Sequence, residues 1–166
     1  MAEEHNTTPL SQFSGSINLS AIRKKRFMID DDESTVLELN TSDMNIVSRL
    51  SEVYPKFEAL EEKVSHIGDG FSPEDDSVES LKTVGDRLKA VDTEMRQLLD
   101  YLFDSNVSEV CAPFGSMYDP INGEARYEHI INALIPLYDE AISTETKKVK
   151  ARVKKHTDKY TKKYHK

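Results

Sequence analysis

The sequence predicts a mainly α fold: a helical bundle centred on an antiparallel helical hairpin, with a small N-terminal β-hairpin and a long basic C-terminal helix. Three observations predict it. Two stretches carry apolar residues at heptad spacing and are joined by a nine-residue, turn-rich loop, Gly68 to Asp76. An earlier stretch alternates apolar and polar side chains around an acidic turn. A third apolar stripe at helical spacing runs into a cationic segment near the C-terminus.

In chain order, residues 1–16 are polar and rich in Ser and Thr, and read as a disordered N-terminus. Residues 17–142 read as a single α-rich domain, with the β-hairpin at about 25–39, and residues 143–166 as a basic helical tail. In the hairpin, Phe27 and Ile29 alternate on one side of the acids Asp30 to Glu33, and Leu37 and Leu39 on the other. A lone two-stranded hairpin is marginal in water, so it must lie on helices or on another chain.

Asn40-Thr41-Ser42-Asp43 offers several caps for a first helix. That helix carries Ile46, Leu50, Val53, Phe57, Leu60, Val64 and Ile67, spaced 4-3-4-3-4-3. Pro55 lies inside it and predicts a kink or break near Tyr54. Ser77 and the acids before it start a second helix, with Leu81, Val84, Leu88, Val91, Met95, Leu98 and Leu102 at the complementary spacing. Gly85 inside it costs roughly 1 kcal/mol against Ala, which a close helix–helix contact would explain. Residues 104–125 are irregular, yet carry Phe114, Met117, Tyr118 and Ile121, side chains that loops usually anchor on a core or a partner. From Glu124 a third helix carries Tyr127, Ile130, Ile131, Leu134, Tyr138 and Ile142, bent at Pro136, and the stripe thins to Val149, Val153, Tyr160 and Tyr164.

Composition narrows the classes. One Cys, six Gly, six Pro and no Trp exclude a disulfide scaffold, a Cys-rich zinc module, a collagen-like rod and a Pro-rich linker. No stretch approaches the ~20 apolar residues of a membrane span, and the opening MAEEHNTTPL has neither the basic region nor the apolar core of a secretory signal. The net charge of −8 is uneven: residues 147–166 hold +9 and residues 1–146 hold −17. A basic tail on an acidic body suits a nucleic-acid arm, a protein-contacting or self-complementary element, or a solvated helix end.

Motifs for chemistry are sparse. His5, His66, His129, His156 and His165 never fall at i, i+3 or i, i+4, so no helical metal pair forms. Cys111 reads as a small buried apolar residue in preference to a nucleophile partnered by His129. Asp30-x-Asp32-x-Ser34 shares its first acids with a calcium loop but lacks the central Gly, and Thr41 stands where the bidentate Glu belongs. No phosphate-binding, nucleophile-elbow or zinc-protease motif occurs. The reading is therefore a non-enzyme, with no catalytic, cofactor-binding or metal residue assigned. The seams read first as core, and their excess as helical surface left for a copy of the chain or a client helix.

Several segments carry a resemblance. Leu39-Asn40-Thr41-Ser42-Asp43-Met44-Asn45-Ile46-Val47-Ser48-Arg49-Leu50 after the acidic hairpin resembles small, mostly uncharacterised proteins of tail-gene clusters in phages and prophages of Gram-positive bacteria. So do Asn106 to Pro113, Gly115 to Pro120, Tyr127 to Ile131 and Lys155 to Tyr160, and together the match covers about residues 17–164. The layout, including Leu99-Asp100-Tyr101-Leu102-Phe103-Asp104 before an irregular turn, is similar to phage tail assembly chaperones. The basic C-terminal rod departs from that layout. The resemblance implies a chaperone in the host cytoplasm that coats the tape measure protein, with tail tube subunits as a further partner, and leaves as the tube polymerises. A structural tail or virion component is the alternative. A nucleic-acid-binding accessory protein using residues 147–166 is a weaker one. Phe57, Leu60, Leu88, Met95, Phe114, Met117 and Tyr118 are the candidate partner contacts, each with ordinary core packing as its competing reading.

Overall fold

A computed structural model describes residues 14–147 except 20–23, 73, 75–76, 141 and 145. The expected disordered N-terminus, apart from residues 14–16, and the basic tail beyond residue 147 lie outside the described residues. The fold is mainly α with a small N-terminal antiparallel sheet.

Strands β1 (Lys25–Ile29) and β2 (Asp32–Leu39) pair in the hairpin the alternation predicts, with a register shift between Met28 and Ile29. Their two-residue turn places Asp30 at φ 52° and Asp31 at φ 60°. Positive φ at both positions matches the right-handed twist of the strands, and Asp is among the few residues that tolerate it. The Asp32 carboxylate is occupied at once: it accepts from the Ser34 amide at 2.9 Å, the Ser34 hydroxyl at 2.7 Å and the Thr35 hydroxyl at 2.7 Å. These bonds hold its carboxyl below the ordinary value. Leu37 and Leu39 are fully buried, with Phe27 and Ile29 packed beside them.

Helix α1 (Asn45–Ser65) runs unbroken through Pro55, so the break expected near Tyr54 does not occur. Proline removes only the bond to the Ser51 carbonyl, and both residues face solvent, where water can serve that carbonyl. Before the helix, the Asp43 carboxylate accepts from the Asn45 amide at 2.9 Å and from Arg49 at 2.8 Å. Arg49 also donates to the Leu102 carbonyl at 2.8 Å, near the end of α2 (Val78–Phe103). Further along, Tyr101 donates to Glu52 at 2.6 Å, Lys63 meets Glu94 at 3.2 Å, and Arg87 reaches the Ile67 carbonyl at 3.3 Å. The partners count upward on one helix and downward on the other, so the two run in opposite directions.

Helix α2 starts at Ser77, whose hydroxyl accepts from the Ser80 amide as the sequence predicts. It ends at Asp104, which takes a left-handed conformation and lets Ser105 return its amide to the Asp100 carbonyl at 3.2 Å. Asp100 then caps the short helix α3 (Val107–Cys111), accepting from the Ser108 amide at 2.7 Å and hydroxyl at 2.8 Å. Strands β3 (Pro120–Ile121) and β4 (Glu124–Ala125) form a second, minimal hairpin over Asn122-Gly123. Helix α4 (Arg126–Leu134) follows, with Glu128 accepting from the Ala125 amide at 2.9 Å. At Pro136 it tightens into a 3-10 turn, Ile135–Tyr138. Tyr127 of α4 packs on Phe57 of α1, and Tyr138 of the 3-10 turn packs on Phe103 at the end of α2.

The core lies where these helices meet the β-hairpin and α3. It gathers Ile46, Val53, Phe57 and Leu60 from α1, and Val91, Met95, Leu99 and Leu102 from α2. Tyr127, Ile130, Leu134 and Tyr138 join it, as do Leu37 and Leu39 of the hairpin, Phe103, Val107 and Met117. On α2 Leu99 is fully buried together with Met95 and Leu102, whereas the seam residue Leu98 is half-buried, because a 3.6-residue helix drifts from a strict heptad over several turns.

Candidate functional site

The two ends of α2 differ. One face of its second half, Val91, Met95, Leu99 and Leu102, is buried, whereas Val78 is 83% exposed, Leu81 64% and Leu88 41%, with Val84 half-buried. The heptad seam therefore continues past the core onto solvent. Gly85 lies in this exposed stretch, and an added Cβ would meet nothing within 4 Å, so the close helix contact expected there is absent.

A second exposed feature is the loop from Ala112 to Asn122. It is held by one acid–base pair on α2. Asp92 and Arg96 sit one helical turn apart and bond to each other at 2.8 Å. Arg96 donates to the carbonyls of Ala112 at 2.8 Å and Gly115 at 2.7 Å. Asp92 accepts from the Met117 amide at 2.5 Å and the Ser116 hydroxyl at 3.2 Å. Burial works against the Asp92 charge, but the Met117 amide and Arg96 outweigh it and hold the carboxyl below its ordinary value. Arg126 reinforces the far side, pairing with Asp119 at 3.2 Å and donating to the Phe114 carbonyl. Gly115, at φ +76°, is required there: a Cβ would come within 2.3 Å of Asp119 Oδ2. The result is a fixed loop that presents Phe114 to solvent at 83% exposure.

The seven candidate contact residues divide accordingly. Phe57, Leu60, Met95 and Met117 are buried in the core, and Phe57 also lines the cleft between α1 and α4. They sit where facing helices and the loop close on one another, which is why they have apolar neighbours on every side. Leu88 and Phe114 are on the surface, and Tyr118 is half-buried beside Tyr127. Asp92 and Arg96, which fix the loop, are absent from the sequence-derived candidates although their i, i+4 spacing is visible. Val78 and Leu81 are likewise exposed apolar side chains absent from those candidates.

Three clefts accompany these surfaces. One of about 560 Å³ joins the β1–β2 turn, the end of α3, the loop and α4, and holds Cys111, Arg126 and His129. Burial, followed by the charges of Asp30 and Asp100, pushes the Cys111 thiol up to about 11. A thiol in that state is protonated at neutral pH and is not an activated nucleophile. A second of about 530 Å³ lies between α1 and α4, and a third of about 380 Å³ lies between the end of α1 and α2 around Arg87. Among the described residues no group of three or more His, Cys, Asp or Glu could hold a metal ion. No helix among them is long and apolar enough to cross a membrane. No family model, curated protein or solved structure matches the chain.

Proposed function

We propose that this chain is a non-enzymatic assembly chaperone of a long-tailed phage, acting in the host cytoplasm on the tape measure protein, with tail tube subunits as a further client. The observation that carries a protein-binding role is the exposed half of the α2 seam: Val78, Leu81 and Leu88 in helical register, continuous with buried core. A helical client with its own apolar stripe would lie along that face in helix-to-helix fashion. We read α1 and α2 as the antiparallel hairpin of a bundle, with the exposed end as its working end and Phe114 as a second anchor. The contact is short and flanked by Glu79, Lys82, Asp86 and Lys89. Such a patch favours reversible association over a large dry interface, as a chaperone that must leave its client requires. The resemblance of the sequence to tail-cluster proteins supplies the identity of that client.

The test is co-expression of the full chain with the tape measure protein, followed by size-exclusion of the soluble fraction. Leu81→Glu with Leu88→Glu keeps the fold, because both side chains are exposed, and is expected to weaken co-elution at least roughly tenfold. Undiminished co-elution of the double variant, or no complex with the parent chain, refutes the proposal. Mass spectrometry of purified particles separates the readings further. Near-stoichiometric presence there assigns the chain to the tail structure instead.

A further inference from the structure

The cleft between α1 and α4 has an apolar floor, made by Leu50, Phe57, Ile131, Ile135 and Pro136. Its polar residues include three acids, Glu58, Glu61 and Glu128, and its lining holds no Lys, Arg or His. The other two clefts are mixed or cationic, with Asp30, Arg126 and His129 in one and Lys63, His66, Arg87 and Glu94 in the other. Glu61 accepts from the Tyr127 hydroxyl and Glu128 from the Ala125 amide. Neither forms an ion pair among the described residues, and nor does Glu58. The groove therefore fits a helix with an apolar stripe and cationic flanks.

The chain itself carries one such sequence. Residues 147–166 hold +9, and Ile142, Val149, Val153, Tyr160 and Tyr164 recur at 7, 4, 7 and 4. The groove runs along α1 from Leu50 to Glu61, about 16 Å at 1.5 Å per residue, and Val149 to Tyr160 spans the same number of residues. Direction decides which copy is served. Helix α4 enters beside Phe57 and leaves beside Phe103, toward the start of α1, and residues 142–144 and 146–147 are helical beyond it. From 143 to 166 the sequence holds no Gly, Pro or Asn. The described residues up to 147 thus head away from the groove of their own chain.

We infer that the α1–α4 groove receives residues 147–166 of a second copy, and that two chains exchange these segments reciprocally in a two-fold dimer. One self-complementary exchange satisfies both grooves and closes the assembly. It also places the cationic end of each chain against the acidic body of the other. The inference is independent of the client proposed above.

The experiment uses full-length chain, with mass measured by light scattering after size-exclusion at micromolar concentration. The parent is expected to be a dimer near 0.1 M salt and to weaken at least roughly tenfold near 1 M, as the screening length falls from about 10 Å to about 3 Å. Glu58→Lys alters an exposed groove side chain, and Lys150→Glu with Lys154→Glu alters the occupant. Each variant alone should associate at least roughly tenfold more weakly, with circular dichroism showing retained helix. Mixed in equal amounts they should recover the dimer, since each supplies what the other lacks. A parent that is monomeric at low salt overturns the inference. So does a dimer that ignores both variants, or a mixture that stays monomeric.

Discussion

Replacing Asp92 by Ala removes the acceptor that ties the 112–122 loop to α2. The Met117 amide and Ser116 hydroxyl lose their partner, and Arg96 loses the carboxylate at 2.8 Å. Arg96 keeps the Ala112 and Gly115 carbonyls, so its charge is not stranded. An unsatisfied buried amide costs about 1–3 kcal/mol and a charge-assisted bond contributes about 1.5–3, so their non-additive loss should total about 2–4 kcal/mol. Asp92 is 19% exposed, which keeps the figure below that for a fully buried pair. Against a stability of about 5–15 kcal/mol this is a large fraction, and it lowers Tm by about 5–15 °C. Asp92→Asn keeps an acceptor and should cost about half as much. Urea unfolding followed by circular dichroism measures the change, and hydrogen exchange should show the Met117 amide losing protection. The acid limb adds a sign. Because the folded carboxyl lies below its ordinary value, its contribution is full above the unfolded pKa of about 4 and lost as pH falls through the folded one. The Ala variant should therefore show a shallower loss of stability in that window. A Met117 amide as protected as in the parent, with stability within about 0.5 kcal/mol of it, would refute the reasoning.

Two glycines should respond oppositely to Ala: Gly115→Ala costs about 1–3 kcal/mol through its positive φ and the Asp119 clash, while Gly85→Ala gains up to about 1 kcal/mol, both read from thermal melts. The Tyr138 hydroxyl is buried without a partner among the described residues, and burial pushes its pKa up to about 12. Tyr138→Phe should then be neutral or stabilising by up to about 1 kcal/mol, and a loss larger than that would show a hidden partner for the hydroxyl. Cys111, raised to about 11 by burial, should react with a thiol reagent at pH 8 at least roughly tenfold more slowly in the folded chain than in denaturant; equal rates would contradict that environment.

Periodic features were legible. The alternation at Phe27, Ile29, Leu37 and Leu39 and the Ser77 cap all appear in the fold, because each is set by residues close in sequence. Pro55 does not break the helix because the cost of proline depends on which carbonyl loses its bond, and Ser51 faces water. Gly85 misled because intrinsic propensity cannot tell an open surface from a close approach. The candidate contacts split for a related reason. A heptad position marks an apolar face but not whether that face is covered, so Leu88 and Met95 carry the same local signal with opposite exposure. The acidic groove was hidden because Glu58 and Glu128 are seventy residues apart in sequence and meet only through the α1–α4 packing.

The uncovered beginning of α2 has an energetic corollary. A helix turn without a neighbour is held by little more than its intrinsic propensity, and Gly85 lowers that further. Exposed turns of this kind belong to the less stable end of a fold, although Arg87 still ties this one to the Ile67 carbonyl, whereas the buried far end of the same helix is held by the core. A partner settling on Leu81 and Leu88 would order this exposed stretch further. Part of the attraction is spent on ordering, and the bound lifetime is shortened without any loss of selectivity for the shape that fits.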